Sequence, residues 1–107
     1  MRGISRVCYA GAGILLWNSL PHLLIAATGR RNLTPFGRDS SPGVNLAWAG
    51  MNLAGGAALM LAADRREGPG RDTDAWLLPF EAGGLAMTAF GVAYEVSRRK
   101  GGTRREP

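Results

Sequence analysis

The sequence predicts an all-α integral membrane bundle of three transmembrane helices, and three observations lead to that class. The 107 residues separate into apolar stretches almost free of charge and short arginine-rich connectors, although the mean hydropathy of the whole chain is close to zero. Val7 to Thr28 (22 residues) and Gly43 to Ala63 (21 residues) contain no Lys, Arg, Asp or Glu, and Trp76 to Tyr94 (19 residues) contains only Glu81. Each approaches the roughly 20 residues that a helix needs to cross about 30 Å of hydrocarbon. A water-soluble three-helix bundle would instead carry charges on the outward face of each segment every three or four residues, which the first two segments do not. Finally, Gly55, Gly56, Gly83 and Gly84 fall inside the segments. Each would cost about 1 kcal/mol relative to alanine in a soluble helix, whereas membrane helices use small residues to bring backbones together.

The first segment, approximately 7–28, follows Arg2 and Arg6 as the core of a secretory signal peptide would. Its apolar length exceeds the roughly 7 to 15 residues of such a core, and it lacks a small-x-small cleavage site, so it is expected to stay as a span. Pro21 cannot donate to the carbonyl of Trp17 and is expected to kink the helix beside Asn18 and His22. Cys8 is the only cysteine, which excludes an intrachain disulfide and a cysteine-based zinc site. The first connector carries Arg30, Arg31, Arg38 and Asp39. The second span covers approximately 43–63, and the second connector carries Asp64, Arg65, Arg66, Glu67, Arg71, Asp72 and Asp74. The third span covers approximately 76–96. Residues 1–96 thus form one transmembrane domain, and 97–107 a basic tail expected to be disordered.

Five basic residues flank the spans on the N-terminal side and eight on the other. Cytoplasmic flanks carry the Lys and Arg excess, so the N-terminus is expected outside and the C-terminus in the cytoplasm of a bacterial inner membrane. The clusters Arg30 with Arg31, Arg65 with Arg66, and Arg98, Arg99 and Lys100 all sit at span ends. They are read as topology signals in contact with anionic headgroups of the lipid bilayer, with no nucleic acid as partner despite a pI near 10.7.

Helical periodicity groups the polar residues inside the spans. Gly11, Leu15, Asn18 and His22 share a face of the first span; Asn45, Ala49, Asn52 and Gly56 share one of the second; Glu81, Gly84, Thr88 and Gly91 share one of the third. Lipid satisfies none of these polar groups, so the three faces are expected to turn toward each other. Antiparallel neighbours place His22 at the depth of Asn45 and Asn52. Glu81 enters from the opposite side, level with Gly11, Gly13, Ala57 and Ala58, where the chain has no basic residue. Three outcomes stay open for it: a first-turn position in a helix starting near Pro79, within reach of headgroups; a proton held by burial; or a partner on another subunit.

No catalytic constellation, metal site or cofactor site is expected. A single histidine without a second His or Cys is a poor metal site. Ser19 and Ser97 have no His and carboxylate at a supporting spacing, and no phosphate-cradling glycine loop ends in a lysine. The expected function is therefore that of a non-enzymatic helix-packing protein, a homo-oligomer or an accessory subunit beside another membrane protein. The alternative is an oligomeric proton-linked carrier or channel for a small solute, with His22 and Glu81 as its titratable groups.

Asn18-Ser19-Leu20-Pro21-His22, Gly29, Thr34-Pro35-Phe36, Ser40-Ser41-Pro42 and Val44-Asn45-Leu46-Ala47-Trp48-Ala49-Gly50 with Asn52 form a pattern. It resembles a family of small bacterial integral membrane proteins with an N-x-x-P-H first helix and an S-P-x-x-N-x-x-W second helix, over about half the chain. The connector is shorter here, and the third span aligns only in its apolar and small character. The family has no assigned activity, so the resemblance implies a membrane topology and singles out Asn18, Pro21, His22, Asn45, Trp48 and Asn52.

Overall fold

The computed structural model describes residues 2–105, and side chains for 2–100. In chain order it has α1 (Gly3–Ala27), a hairpin of β1 (Asn32–Thr34) and β2 (Gly37–Ser40), α2 (Pro42–Glu67) and α3 (Thr73–Arg105). All three helices are long and apolar enough to cross a membrane, and the fold is all-α apart from the hairpin.

The side chains are distributed as lipid requires. Leu20, Leu24, Leu46, Leu61, Leu78, Leu85 and Phe90 face outward, while the buried set is small or polar: Ser5, Tyr9, Ala12, Ser19, His22, Asn45, Ala49, Asn52 and Ala63. In water so much exposed apolar surface would drive aggregation, and in hydrocarbon it is the solvated surface.

Helix ends follow local chemistry. The Ser41 hydroxyl accepts from the Val44 N–H at 3.2 Å, and Pro42 opens α2 with a φ already suited to a helix. Gly68, at φ 76°, closes α2 with its N–H on the Asp64 carbonyl at 2.9 Å. α3 is longer than the apolar stretch inside it. It starts at Thr73 rather than Trp76 and runs on through 97–105, which composition alone assigns to a disordered tail. The junction is held by Glu95, which accepts from Arg98 at 2.7 Å and Arg99 at 3.3 Å, pairs spaced for one helix face. Glu106 and Pro107 lie outside the described residues.

α1 is the central helix, with α2 and α3 packed against it. The α1–α3 contact is made backbone to backbone: a β-carbon at Gly13 would strike the Phe80 carbonyl, one at Gly83 the Ala10 carbonyl, and one at Gly84 the Trp17 indole. On the α2 side, Gly56 admits Leu16, whose Cγ would lie 2.6 Å from an added β-carbon. The two glycines side by side set the rotation of α3. Gly83 and Gly84 are buried, whereas Glu81, Thr88 and Gly91 are exposed. The stripe Glu81–Gly84–Thr88–Gly91 therefore does not turn inward as a unit, which corrects the expectation of three converging polar faces.

The hairpin pairs Thr34 with Gly37 and Asn32 with Ser40 around Pro35 and Phe36. The Ser40 hydroxyl donates to the Gly37 carbonyl at 2.9 Å, so Thr34 donates to Ser40 (2.7 Å) and accepts from the Phe36 N–H (3.1 Å). The hairpin packs on α2 through β1, with Thr34 and Ser40 buried and Pro35 to Asp39 exposed.

Candidate functional site: a polar cleft beside His22

Four of the polar residues singled out by the sequence meet on the α1–α2 face. Asn45, fully buried, is the centre of the group. Its amide nitrogen donates to the carbonyls of Ser40 and Ser41 at 3.0 Å each and approaches that of Asn32 at 3.4 Å, which ties the hairpin to the start of α2. The amide orientation follows from those carbonyls, so the oxygen of Asn45 faces His22 Nδ1 at 2.7 Å and accepts its hydrogen. Nε2 is the ring atom left over, with no hydrogen-bond partner among the described residues.

The same accounting orients the second pair. Asn52 donates to the Trp48 carbonyl one turn back at 2.8 Å, so its oxygen accepts from the Asn18 amide at 3.2 Å. Asn18 and Asn52 stand within one residue of the midpoints of the apolar stretches 7–28 and 43–63, so this bond lies midway along both spans. The Asn18 oxygen has no partner among the described residues. The Trp48 indole meets His22 edge-on at 6.5 Å between ring centroids and Phe36 of the hairpin at 6.1 Å. Pro21 lies within an unbroken α1, exposed on its surface. The amides of Asn18, Asn45 and Asn52 do not bond to the Trp17 carbonyl that it frees.

Beside His22 and Asn18 a cleft opens between α1, α3 and the hairpin. It has two lobes of about 480 and about 310 Å³, which share Asn18, His22, Leu33, Met87 and Phe90. Thr88 lines the larger lobe but spends its hydroxyl hydrogen on the Gly84 carbonyl of its own helix at 2.9 Å.

Glu81 is not part of this group. It stands on the outer face of α3, exposed, with no hydrogen bond or ion pair among the described residues. Because α3 begins at Thr73, one of the three outcomes left open for Glu81, a first-turn position in a helix starting near Pro79, is not the one found: Glu81 is the ninth residue of the helix and about 7.5 Å beyond Trp76 at 1.5 Å per residue.

Sequence reasoning missed a second cluster, at the opposite end of the bundle. Tyr9 of α1 donates to Asp64 of α2 at 2.7 Å, and Arg71 pairs with the same carboxylate at 3.1 Å. The guanidinium also lies over the rings of Tyr9 (6.0 Å) and Trp76 (5.5 Å), so one arginine joins all three helices. Ser5 adds a bond to Glu67 at 2.8 Å. A tyrosine two residues inside a span, opposite the first acid after the next span, is the signal that would have found it. Among the described residues no three of His, Cys, Asp and Glu come together to hold a metal ion. No family model, no curated protein and no solved structure matches this chain.

Proposed function

We propose that this protein is a non-enzymatic accessory subunit of a bacterial inner-membrane complex, held to a different membrane protein through the outer face of α3. The N-terminus is outside, the C-terminus is cytoplasmic, and the chain belongs with the small bacterial family carrying the N-x-x-P-H and S-P-x-x-N-x-x-W motifs. The observation that carries this reading is the carboxyl group of Glu81, inside the apolar stretch of α3 and directed away from α1. A charge facing hydrocarbon costs about 2.5–3.5 kcal/mol at the bilayer centre, and such residues mark sites where a span meets a polar partner. A second copy in the same orientation brings Gly11, Gly13, Ala57, Ala58 and its own Glu81 to that depth, and no basic residue. The partner that fits is a helix of another protein with a basic or hydrogen-bond-donating side chain at that level.

Photo-crosslinking in native membranes tests this. With benzoylphenylalanine in place of Leu85, one turn from Glu81 and exposed on the same side of α3, a discrete heterologous adduct is expected, and Glu81→Leu should abolish it. The same probe at Leu53 on α2 should give none. Equal labelling at both positions, or an adduct indifferent to Glu81→Leu, overturns the reading.

The carrier or channel reading draws on the cleft beside His22. His22 and Glu81 lie toward opposite ends of the bundle, so a shared path would require several copies. Its signature is pH-dependent flux in proteoliposomes that is lost in His22→Ala.

A further inference from the structure

The cleft beside His22 has a chemistry independent of what covers α3. Its walls are mostly apolar, with Trp17, Leu33, Met87 and, at the rim, the exposed Leu20, Phe90 and Val92; the larger lobe also meets Asn32, Tyr94 and Glu95, and the cleft opens sideways onto the apolar surface of the bundle. Into it is turned His22, only 7% exposed, whose Nε2 is without a partner because Nδ1 is committed to Asn45. An uncharged imidazole held in this way presents a lone pair. The Asn18 oxygen is likewise unpaired, because the Asn18 amide is turned toward Asn52. Thr88 offers lone pairs only. Beside these acceptors Asn18 also offers a donor, its second N–H, and the Trp17 indole N–H, the Asn32 amide and the Tyr94 hydroxyl line the larger lobe as further donors.

We infer that the cleft binds a lipophilic alcohol: an apolar body the size of a small ligand, headed by a hydroxyl group. A hydroxyl group donates to His22 Nε2 and at the same time accepts from a spare N–H such as that of Asn18. An ammonium group has no lone pair for Asn18, and a carboxylate or ketone has no hydrogen for His22. Two lobes of about 480 and about 310 Å³ fall within the size range of small-molecule pockets, which join apolar walls to a few placed polar groups. The hydroxyl comes either from a membrane lipid with a free alcohol or from a free long-chain alcohol.

Because His22 is the only histidine, ¹⁵N-histidine labelling gives one imidazole to observe. In phosphatidylcholine nanodiscs at one fixed pH, 1-decanol is expected to shift the Nε2 resonance saturably and leave Nδ1, on Asn45, in place. Decyl methyl ether, which has no donor, and decane should leave both unmoved. Dioleoylglycerol forms a further arm: a shift with it as well as with decanol assigns the hydroxyl to a membrane lipid, a shift with decanol alone assigns it to a free alcohol, and both support the site. Gly91 lines the larger lobe, and a β-carbon there meets nothing within 4 Å. Gly91→Leu should therefore abolish the decanol shift while Nδ1 keeps its resonance, which shows the fold intact. Decane or the ether shifting Nε2 as far as decanol, no response to decanol, or an undiminished response in Gly91→Leu overturns the assignment.

Discussion

Replacing Gly83 by leucine is expected to separate α3 from α1 and to destabilise the bundle by on the order of 3 kcal/mol, the upper part of the range for overpacked cores. The reason is the partner atom. An added β-carbon at Gly83 meets the Ala10 carbonyl, which is backbone and cannot rotate away as a side chain can, so the two helices must move apart. Gly13 makes the reciprocal contact with Phe80, and its substitution should act alike. The helices themselves should survive, since each span satisfies its own backbone hydrogen bonds in lipid. Far-UV circular dichroism should therefore be unchanged, while unfolding in a denaturing-detergent titration moves to a lower mole fraction. Gly50→Ala, at a position where a β-carbon meets nothing within 4 Å, is the control and should be neutral.

Asn45→Leu is expected to cost a similar amount, on the order of 3 kcal/mol, by a different route. Leucine fits roughly the same volume but leaves His22 Nδ1 and the Ser40 and Ser41 carbonyls without the partner they have now. A buried polar group stripped of its partner costs about 1–3 kcal/mol, and of the three, the Ser41 carbonyl keeps a backbone bond from the Asn45 N–H at 2.9 Å. Asn52→Leu removes one interhelical bond, that from Asn18, together with the donation to the Trp48 carbonyl of its own helix, and should cost about 1 kcal/mol, within the measured range for interhelical bonds in membranes. The ratio of the two losses, read from the same detergent titration, separates a clasp that holds three elements from a single bridge. Asn45→Leu should also release the hairpin, seen as a changed emission of Trp48, which Phe36 covers.

Much of this arrangement was legible in the sequence because periodicity and depth are enough to pair residues on antiparallel helices. Asn18, His22, Asn45 and Asn52 occupy one face of each span at matching depths, and they are the residues found hydrogen-bonded there. What periodicity could not supply was the rotation of the third helix. Gly83 and Gly84 are consecutive, so they lie on two neighbouring stripes, and only the packing on Ala10 and Trp17 shows which face is turned inward. Reading the small stripe by itself suggests a surface for other copies, whereas Gly84 is filled by Trp17 of the same chain. The hairpin was hidden because its strands have three and four residues, too few for alternation to register, and its hydrogen bonds run through Thr34, Ser40 and Asn45 rather than through a long ladder. α3 starts three residues before the span read from Trp76, because the charged Asp72 and Asp74 mark the edge of the apolar stretch and not the edge of the helix. In the structure Asp74 takes the first turn and Pro79 falls within the helix.

In the proposed complex the outer face of α3 is covered by another protein through Glu81. Native mass spectrometry of the chain extracted into native-lipid nanodiscs measures this directly, since it reports copy number and co-isolated proteins together. One copy bound to a different membrane protein, and released from it by Glu81→Leu, is the predicted result. A homo-oligomer, the chain alone with lipid, or a complex that Glu81→Leu leaves intact would contradict it.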